Sequence, residues 1–333
     1  MDQSRRRVLG SGAAVAVSGL AGLGWAGRAA AQPADYPSRT ITTIVAYAPG
    51  GQGDVFARLV GERLSRVLGQ PVIVDNRPGA TGALGTRYVA RAKGDGYTLL
   101  LGQTGEMAVN ASVMKAPGYD GLKDFKAVAL VGDAPLVMVA PASAPYNTLQ
   151  ELVQLARSKP EGVSYASSGI ATPGHLAAAA LAIGTKTTMV HVPYKGAGAA
   201  MADVIGGQVQ FFFSSASAAV PHVKGGKLKA LAVSTPQRVP GLPQVPTVAE
   251  AALPGFAFTL WGGYFVPADT PDAVVQRLNR EINKILTEPE LKARFEADGI
   301  SIGHGTPAAF GAYVAQETHK YAALVKTAHV QVD

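Results

Sequence analysis

Cysteine is absent from the 333 residues, which excludes disulfides, thiolate metal sites and cysteine nucleophiles. The six histidines form no H-x-x-x-H pair and stand beside no carboxylate cluster, so no metal-ligand set is assembled in the sequence. Aromatic residues are sparse, at 7%, and no run of Lys and Arg interleaves with them in the manner that grips nucleic-acid phosphates. Beyond residue 31 no apolar stretch approaches the length of a membrane-spanning helix. Low-complexity segments and short repeats are missing too. What is present is a chain with 47% hydrophobic residues, ample for two cores.

The amino-terminal segment reads as an export signal. Arg5, Arg6 and Arg7 precede an uncharged stretch, Val8 to Ala26, and the small residues Ala29-Ala30-Ala31 form a signal-peptidase site. Ser4-Arg5-Arg6-Arg7-Val8-Leu9 fits the twin-arginine pattern, with Val8 where Phe is more usual. The stretch is long enough for a membrane anchor, but five glycines and two serines weaken it, and the cleavage site follows at once. The expectation is a signal peptide over 1–31, cleaved after Ala31, and a mature chain that works in the periplasm. Its removal would leave 26 basic and 22 acidic residues, so the formal charge would fall from +7 to +4. No nucleic-acid partner is implied.

Short apolar runs alternate with longer amphipathic ones. Ile41–Tyr47, Pro71–Val74 and Thr98–Gly102 read as strands, with helices over Val55–Leu68 and Thr81–Ala92. The rhythm returns with strands at Val163–Ser167, Met189–Val192 and Val209–Phe213, and helices at Gly174–Ile183 and Ala197–Ile205. Such alternation predicts two α/β units, each a parallel or mixed sheet flanked by helices on both faces. Phe256–Val266 reads as one long strand, and Pro271–Thr287 and Thr306–Lys326 as helices, the last with Thr306 as N-cap. These closing elements are too few for a third core. They are expected to return to the first domain, giving domain 1 as 32–135 plus 236–333 and domain 2 as 136–235, a hinged clamp with a central cleft.

Ligands of open α/β sheets bind outside the carboxyl ends of strands, where helix N-termini offer free amides to anions. Four strand-to-helix loops and one strand end qualify. The first carries Gly50, Gly51, Gln52, Gly53 and Asp54; the second runs from Ser167, Ser168 and Gly169 through Ala171 and Thr172 to His175. Gln103 and Thr104 follow the third strand, Lys195 and Gly196 follow Met189–Val192, and Ser214 follows three core phenylalanines, Phe211–Phe213. Asp54 reads first as an N-cap or first-turn acid stabilised by the helix dipole, with ligand contact as the alternative. Lys195 reads either as a solvated side chain or as a complement to an anion. A dinucleotide reading of Gly51-x-Gly53 fails because Phe56 occupies the third glycine position, even though Asp75 stands where a ribose-binding acid would. A nucleophilic Ser168 with His175 as base lacks the G-x-S-x-G elbow and an orienting acid, so His175 is read as a local hydrogen-bonding residue.

Taken in order, Tyr47-Ala48-Pro49-Gly50-Gly51-x-x-Asp54, Val74-Asp75-Asn76-Arg77-Pro78-Gly79-Ala80, Asp95-Gly96-Tyr97-Thr98-Leu99-Leu100, His191-Val192-Pro193-Tyr194-Lys195-Gly196, Gly225-Gly226-Lys227-Leu228 and Pro243-x-Val245-Pro246-Thr247 form a specific set. With them the sequence closely resembles the Bug family, the substrate-binding receptors of tripartite tricarboxylate transporters, from Tyr36 onward. The resemblance implies a two-domain periplasmic binding fold that closes on a small carboxylate, with no cofactor and no catalysis. It also implies membrane transporter subunits as partners, or a sensor kinase if the role is signalling, and a monomeric receptor. An exported enzyme on the same scaffold is the competing class. In family terms the rim loops match Gly50–Asp54, Ser167–Thr172, Gln103–Glu106 and Lys195–Ala197, so Ala197 joins the candidates. Three departures bear on the ligand: Gln103, Glu106 and Met107 replace small hydroxylated residues and a histidine, Ala171 replaces a glycine, and Ser214 replaces an aspartate.

Overall fold

A computed structural model describes residues 36–328. The export segment expected at 1–31 lies outside the described residues. The chain runs β1 (Ile41–Val45), α1 (Gln52–Leu68), β2 (Val72–Asn76), a 3-10 turn (Ala80–Gly82), α2 (Ala83–Ala90) and β3 (Thr98–Gln103). A π-helical turn (Gly105–Val109) leads into α3 (Asn110–Val113) and the long β4 (Phe125–Pro141). Then come α4 (Leu149–Ser158), β5 (Ser164–Ser167), α5 (Pro173–Thr185), β6 (Val190–Pro193), α6 (Ala197–Ile205), β7 (Phe211–Ser215), α7 (Ala216–Lys224) and β8 (Leu228–Val233). The last elements are α8 (Val248–Ala251), β9 (Thr259–Pro267), α9 (Asp272–Leu286), α10 (Pro289–Ala297), β10 (Ser301–Ile302) and α11 (Pro307–Ala328).

The helices form where apolar residues recur at helical spacing. In α1, Phe56, Val60, Leu64 and Leu68 stack one turn apart on a buried face, and Gly69 ends the helix at φ 67°, which a residue without Cβ adopts at no steric cost. In α9, Val274, Val275, Leu278, Ile282, Ile285 and Leu286 are all buried. At about 2 kcal/mol per buried side chain, this face contributes on the order of 10 kcal/mol before entropy is counted. Thr306 caps α11, its hydroxyl accepting from the Ala309 amide at 3.2 Å.

Strand directions decide where the loops go. β1 runs parallel to β2 and β3; β3 pairs antiparallel with β9, and β9 antiparallel with the first part of β4, Phe125–Pro135. From Leu136 onward β4 changes partners and runs antiparallel to β7 and β8, while β5 lies parallel to β6 and β7. The sheets are therefore mixed, with β4 and β9 as the antiparallel members beside the parallel strands. Gly132, Asp133 and Pro135 punctuate β4 and read as a break in sequence. The strand passes through them by shifting register between Leu130 and Gly132 and by changing neighbours beside Pro135. α11 packs on β4 and also reaches α5, and its Phe310, Val314, Tyr321 and Val325 share a core with Leu176 and Leu181 of α5. No described helix is long and apolar enough to cross a membrane.

Candidate functional site

Because β1 and β3 run with β4 while β5, β6 and β7 run against it, the carboxyl ends of the two strand sets point toward each other. Register fixes where they meet. Gln103, the last residue of β3, aligns through Gly262 with Gly132 of β4, and Ser215, the last of β7, aligns with Leu136. Four residues of strand separate these levels, about 13 Å along β4. The loops after β1 and β3 thus face those after β5, β6 and β7 across the point where β4 changes sheets.

On one side, the chain leaves β1 and turns at Gly50, φ 87°, into α1. Gly51 is the N-cap, and no side chain caps the helix, so its first amides retain donor capacity. Burial alone would raise the Asp54 carboxyl, but hydrogen bonds from Arg58 and the Gly50 amide outweigh it and hold the group below its usual range. Arg58 Nε lies 3.0 Å from Asp54 Oδ1, and Arg58 also donates to Asn76 Oδ1, whose amide nitrogen donates to the Tyr47 carbonyl. The carboxylate of Asp54 is therefore tied inward, clamping the loop to β2. Gln52 is buried, donates through Nε2 to the Leu260 carbonyl of β9 at 2.6 Å, and leaves its Oε1 without a partner. Gly53 lies so close to the Gln103 side chain that a Cβ there would collide with the amide. Thr104 is fully buried and exchanges hydrogen bonds with the backbone of Trp261, accepting at 3.0 Å and donating at 3.4 Å.

On the other side, Ser167 closes β5 fully buried. Its hydroxyl lies 2.7 Å from His191 Nε2 and 2.9 Å from the Gly169 carbonyl. Ser168 and Thr172 are half-buried; Thr172 is the N-cap of α5, and its hydroxyl donates to the Gly169 carbonyl at 2.8 Å. Pro173 follows with no N–H, so the amides of Gly174 and His175 are the open donors. Ala171 takes φ 62°, a left-handed conformation that disfavours a Cβ and that turns the loop into the helix. Gly174 sits against the Phe213 carbonyl, where a Cβ would collide, which brings the start of α5 beside β7. Ser214 lies inside β7, buried, with its hydroxyl unpartnered. The loop after β6 adjoins through the Tyr194 amide, which donates to the Ser167 carbonyl at 3.0 Å. Lys195 is exposed, Gly196 is the N-cap of α6 without a side-chain cap, and Ala197 is half-buried.

His175 is a buttress. Its Nδ1 accepts from the Ala171 amide at 2.9 Å, which puts the ring proton on Nε2, and its ring stacks on His191 at 3.7 Å with Tyr165 beyond. Burial, with His191 adjacent, pushes His175 down to about 3, and burial pushes His191 down to about 4. Both rings are neutral at neutral pH and supply no positive charge.

The structure gathers the expected residues into two opposed groups, Gly51–Asp54 with Gln103 and Thr104, and Ser167–His175 with Lys195–Ala197 and Ser214. Within them Thr104, Asp54, Ser167 and His175 spend their polar atoms inside the protein. Sequence reasoning missed Arg58, whose i,i+4 spacing from Asp54 was the available signal. It also missed His191, which stacks on His175 and meets the Ser167 hydroxyl. No group of three or more metal-ligand side chains occurs among the described residues. A hollow of about 700 Å³ bordered by Arg39, Arg87 and Tyr97 lies at the opposite, amino ends of β1 and β3 and belongs to neither group.

Mixed sheets flanked by helices, sharing one long strand, with opposed helix N-termini at the crossover, are the architecture of periplasmic binding proteins. The solved structure of R. palustris Rpa4515 with adipate is similar, with a TM-score of 0.85 and 32% identity over 89% of this chain and 99% of that one. MatC (Rpa3494) from Rhodopseudomonas palustris with bound malate matches with a TM-score of 0.81 and 31% identity, covering 87% of this chain and all of the other. Among curated relatives, protein BugT of Bordetella pertussis (strain Tohama I) is 36% identical over 303 residues, 90% of this chain and 93% of BugT. The model of the tripartite tricarboxylate transporter family receptors matches residues 56–330, and the chain belongs to that family.

Proposed function

We propose that this protein is an exported periplasmic receptor that captures a small organic dicarboxylate between two lobes, 36–135 plus 236–328 and 136–235, and delivers it to tripartite-type membrane subunits. The observation that carries this reading is the opposition of uncapped helix N-termini, α1 on one side and α5 and α6 on the other, across the point where β4 changes sheets. Each suits one carboxylate. The similar structures solved with adipate and with bound malate hold acids of that chemistry.

In this reading Gln52 and the Gly51–Gly53 backbone hold one carboxylate. Ser168, Thr172, the Gly174 and His175 amides, Gly196, Ala197 and Ser214 hold the other, with Lys195 at the rim. Recognition rests on amides, hydroxyls and water rather than an arginine fork. Asp54, Thr104, Ser167 and His175 act behind the contact surface. The segment 1–31 directs export and is removed, and the receptor acts as a monomer without catalysis.

Incubation of the purified mature chain with a panel of C4 to C6 diacids tests this. Thermal stabilisation with every acid recovered intact is the expected result. Turnover beyond one equivalent, or no stabilisation by any acid, refutes the reading.

A further inference from the structure

Glu106 sits in the π-helical turn after β3, 1% exposed. One carboxyl oxygen accepts from the Gln103 amide at 2.7 Å, while Oε2 has no partner. Gln103 in turn packs on Gly53 at the start of α1. Glu106 is therefore one hydrogen bond from the residue that joins the two loops of the first lobe. We propose that Glu106 is a positioning residue that couples protonation to capture, so that the ligand anion and a proton on the Glu106 carboxyl are taken up together. The inference rests on the receptor reading above.

Among the described residues no cation forms an ion pair with Glu106, and Arg87 of α2 lies against Gly118 beside Tyr119. Tyr47 approaches from the loop after β1; its hydroxyl donates to the Thr81 carbonyl at 3.3 Å and lies close to Gly82 and Gly105 beside the Glu106 side chain. Tyr119 donates to the Glu106 backbone carbonyl at 2.6 Å and accepts from Asn110 of α3 at 3.0 Å. The 3-10 turn presents only Ala80, Thr81 and Gly82. α11 packs on the same turn, but its inward titratable groups are engaged elsewhere, Tyr313 with Asp133 and Glu317 with Lys320. Thr104 and Trp261 on the β9 side are neutral. Burial, opposed by backbone amides and by Tyr47, pushes the Glu106 carboxyl up to about 7. An ionised Glu106 would repel an anion arriving at the neighbouring loop and would pull on the Gln103 amide. Once protonated, it offers an O–H where Oε2 is now unpartnered.

Calorimetry with the best-binding diacid of a succinate, malate, glutarate and adipate panel tests this between pH 6 and 8. With a group at about 7, the protonated fraction falls from about nine-tenths to about one-tenth, so affinity is expected to weaken about tenfold. At pH 7.5, binding heats in phosphate and Tris should differ by the uptake of a proton. In Glu106→Gln both signatures should vanish beyond the ligand's own titration. Binding that is independent of pH and buffer overturns the inference and leaves the receptor reading intact. No binding by any acid overturns both. Should Glu106→Gln not fold, the buffer pair on the wild-type protein decides alone.

Discussion

Acidification should loosen the packing around the loop after β5, and the size of the effect follows from one side chain. His175 has an ordinary value near 6.5 unfolded and about 3 in the folded protein, where burial and the stacked His191 oppose its charge. A depressed folded value means that its stabilising contribution is complete above pH 6.5 and is lost as pH falls toward 3. At pH 5 the unfolded chain has bound the proton and the folded chain has not, which costs about 2 kcal/mol relative to pH 7.5. His191, more exposed, adds a smaller loss of the same sign. Glu106 at about 7 and Asp133 at about 6, both raised chiefly by burial, act oppositely, destabilising as pH rises. The total profile is therefore composite, and a variant must isolate the histidine. His175→Asn places an amide oxygen near the Nδ1 position and removes the titration. Urea unfolding followed by the fluorescence of buried Trp261 gives stability at pH 7.5 and pH 5. The advantage of wild type over variant is expected to shrink by about 2 kcal/mol at the lower pH. A gap that does not change with pH would refute a neutral, buried His175.

Thr172→Ala should weaken diacid binding by about 1–2 kcal/mol, the scale of one hydrogen bond to a charged group, as read by calorimetry. Gly174→Ala forces a Cβ against the Phe213 carbonyl, so denaturation should show a loss of about 1–3 kcal/mol with a parallel fall in affinity. Arg58→Ala removes the partner that holds Asp54, and the melting temperature should drop less in an Asp54→Asn background than in wild type.

The sequence made the local elements legible where one face was apolar. Pro271–Thr287 was expected as a helix and α9 spans Asp272–Leu286, and Ala197–Ile205 was matched residue for residue. Partners distant in the chain were not legible. β4 was hidden because Gly132-Asp133-Ala134-Pro135 has turn composition, and only pairing with β9 carries the strand through it. α10 was missed for want of periodicity, with just Leu291 and Phe295 buried. The candidate loops were readable because glycine, hydroxyls and a helix start signal anion binding. Which of their side chains turn inward was not. Ser167 and His191 meet across 24 residues, and Thr104 and Trp261 across 157, contacts that no local pattern encodes.

In the proposed receptor, two opposed helix N-termini each hold one carboxylate. Calorimetry comparing the best-binding diacid with its own monoamide, equal in length and shape, tests this most directly. Loss of one charge-assisted contact set, about 1.5–3 kcal/mol, should weaken binding roughly ten- to a hundred-fold. Equal affinity for the diacid and its monoamide would contradict the claim.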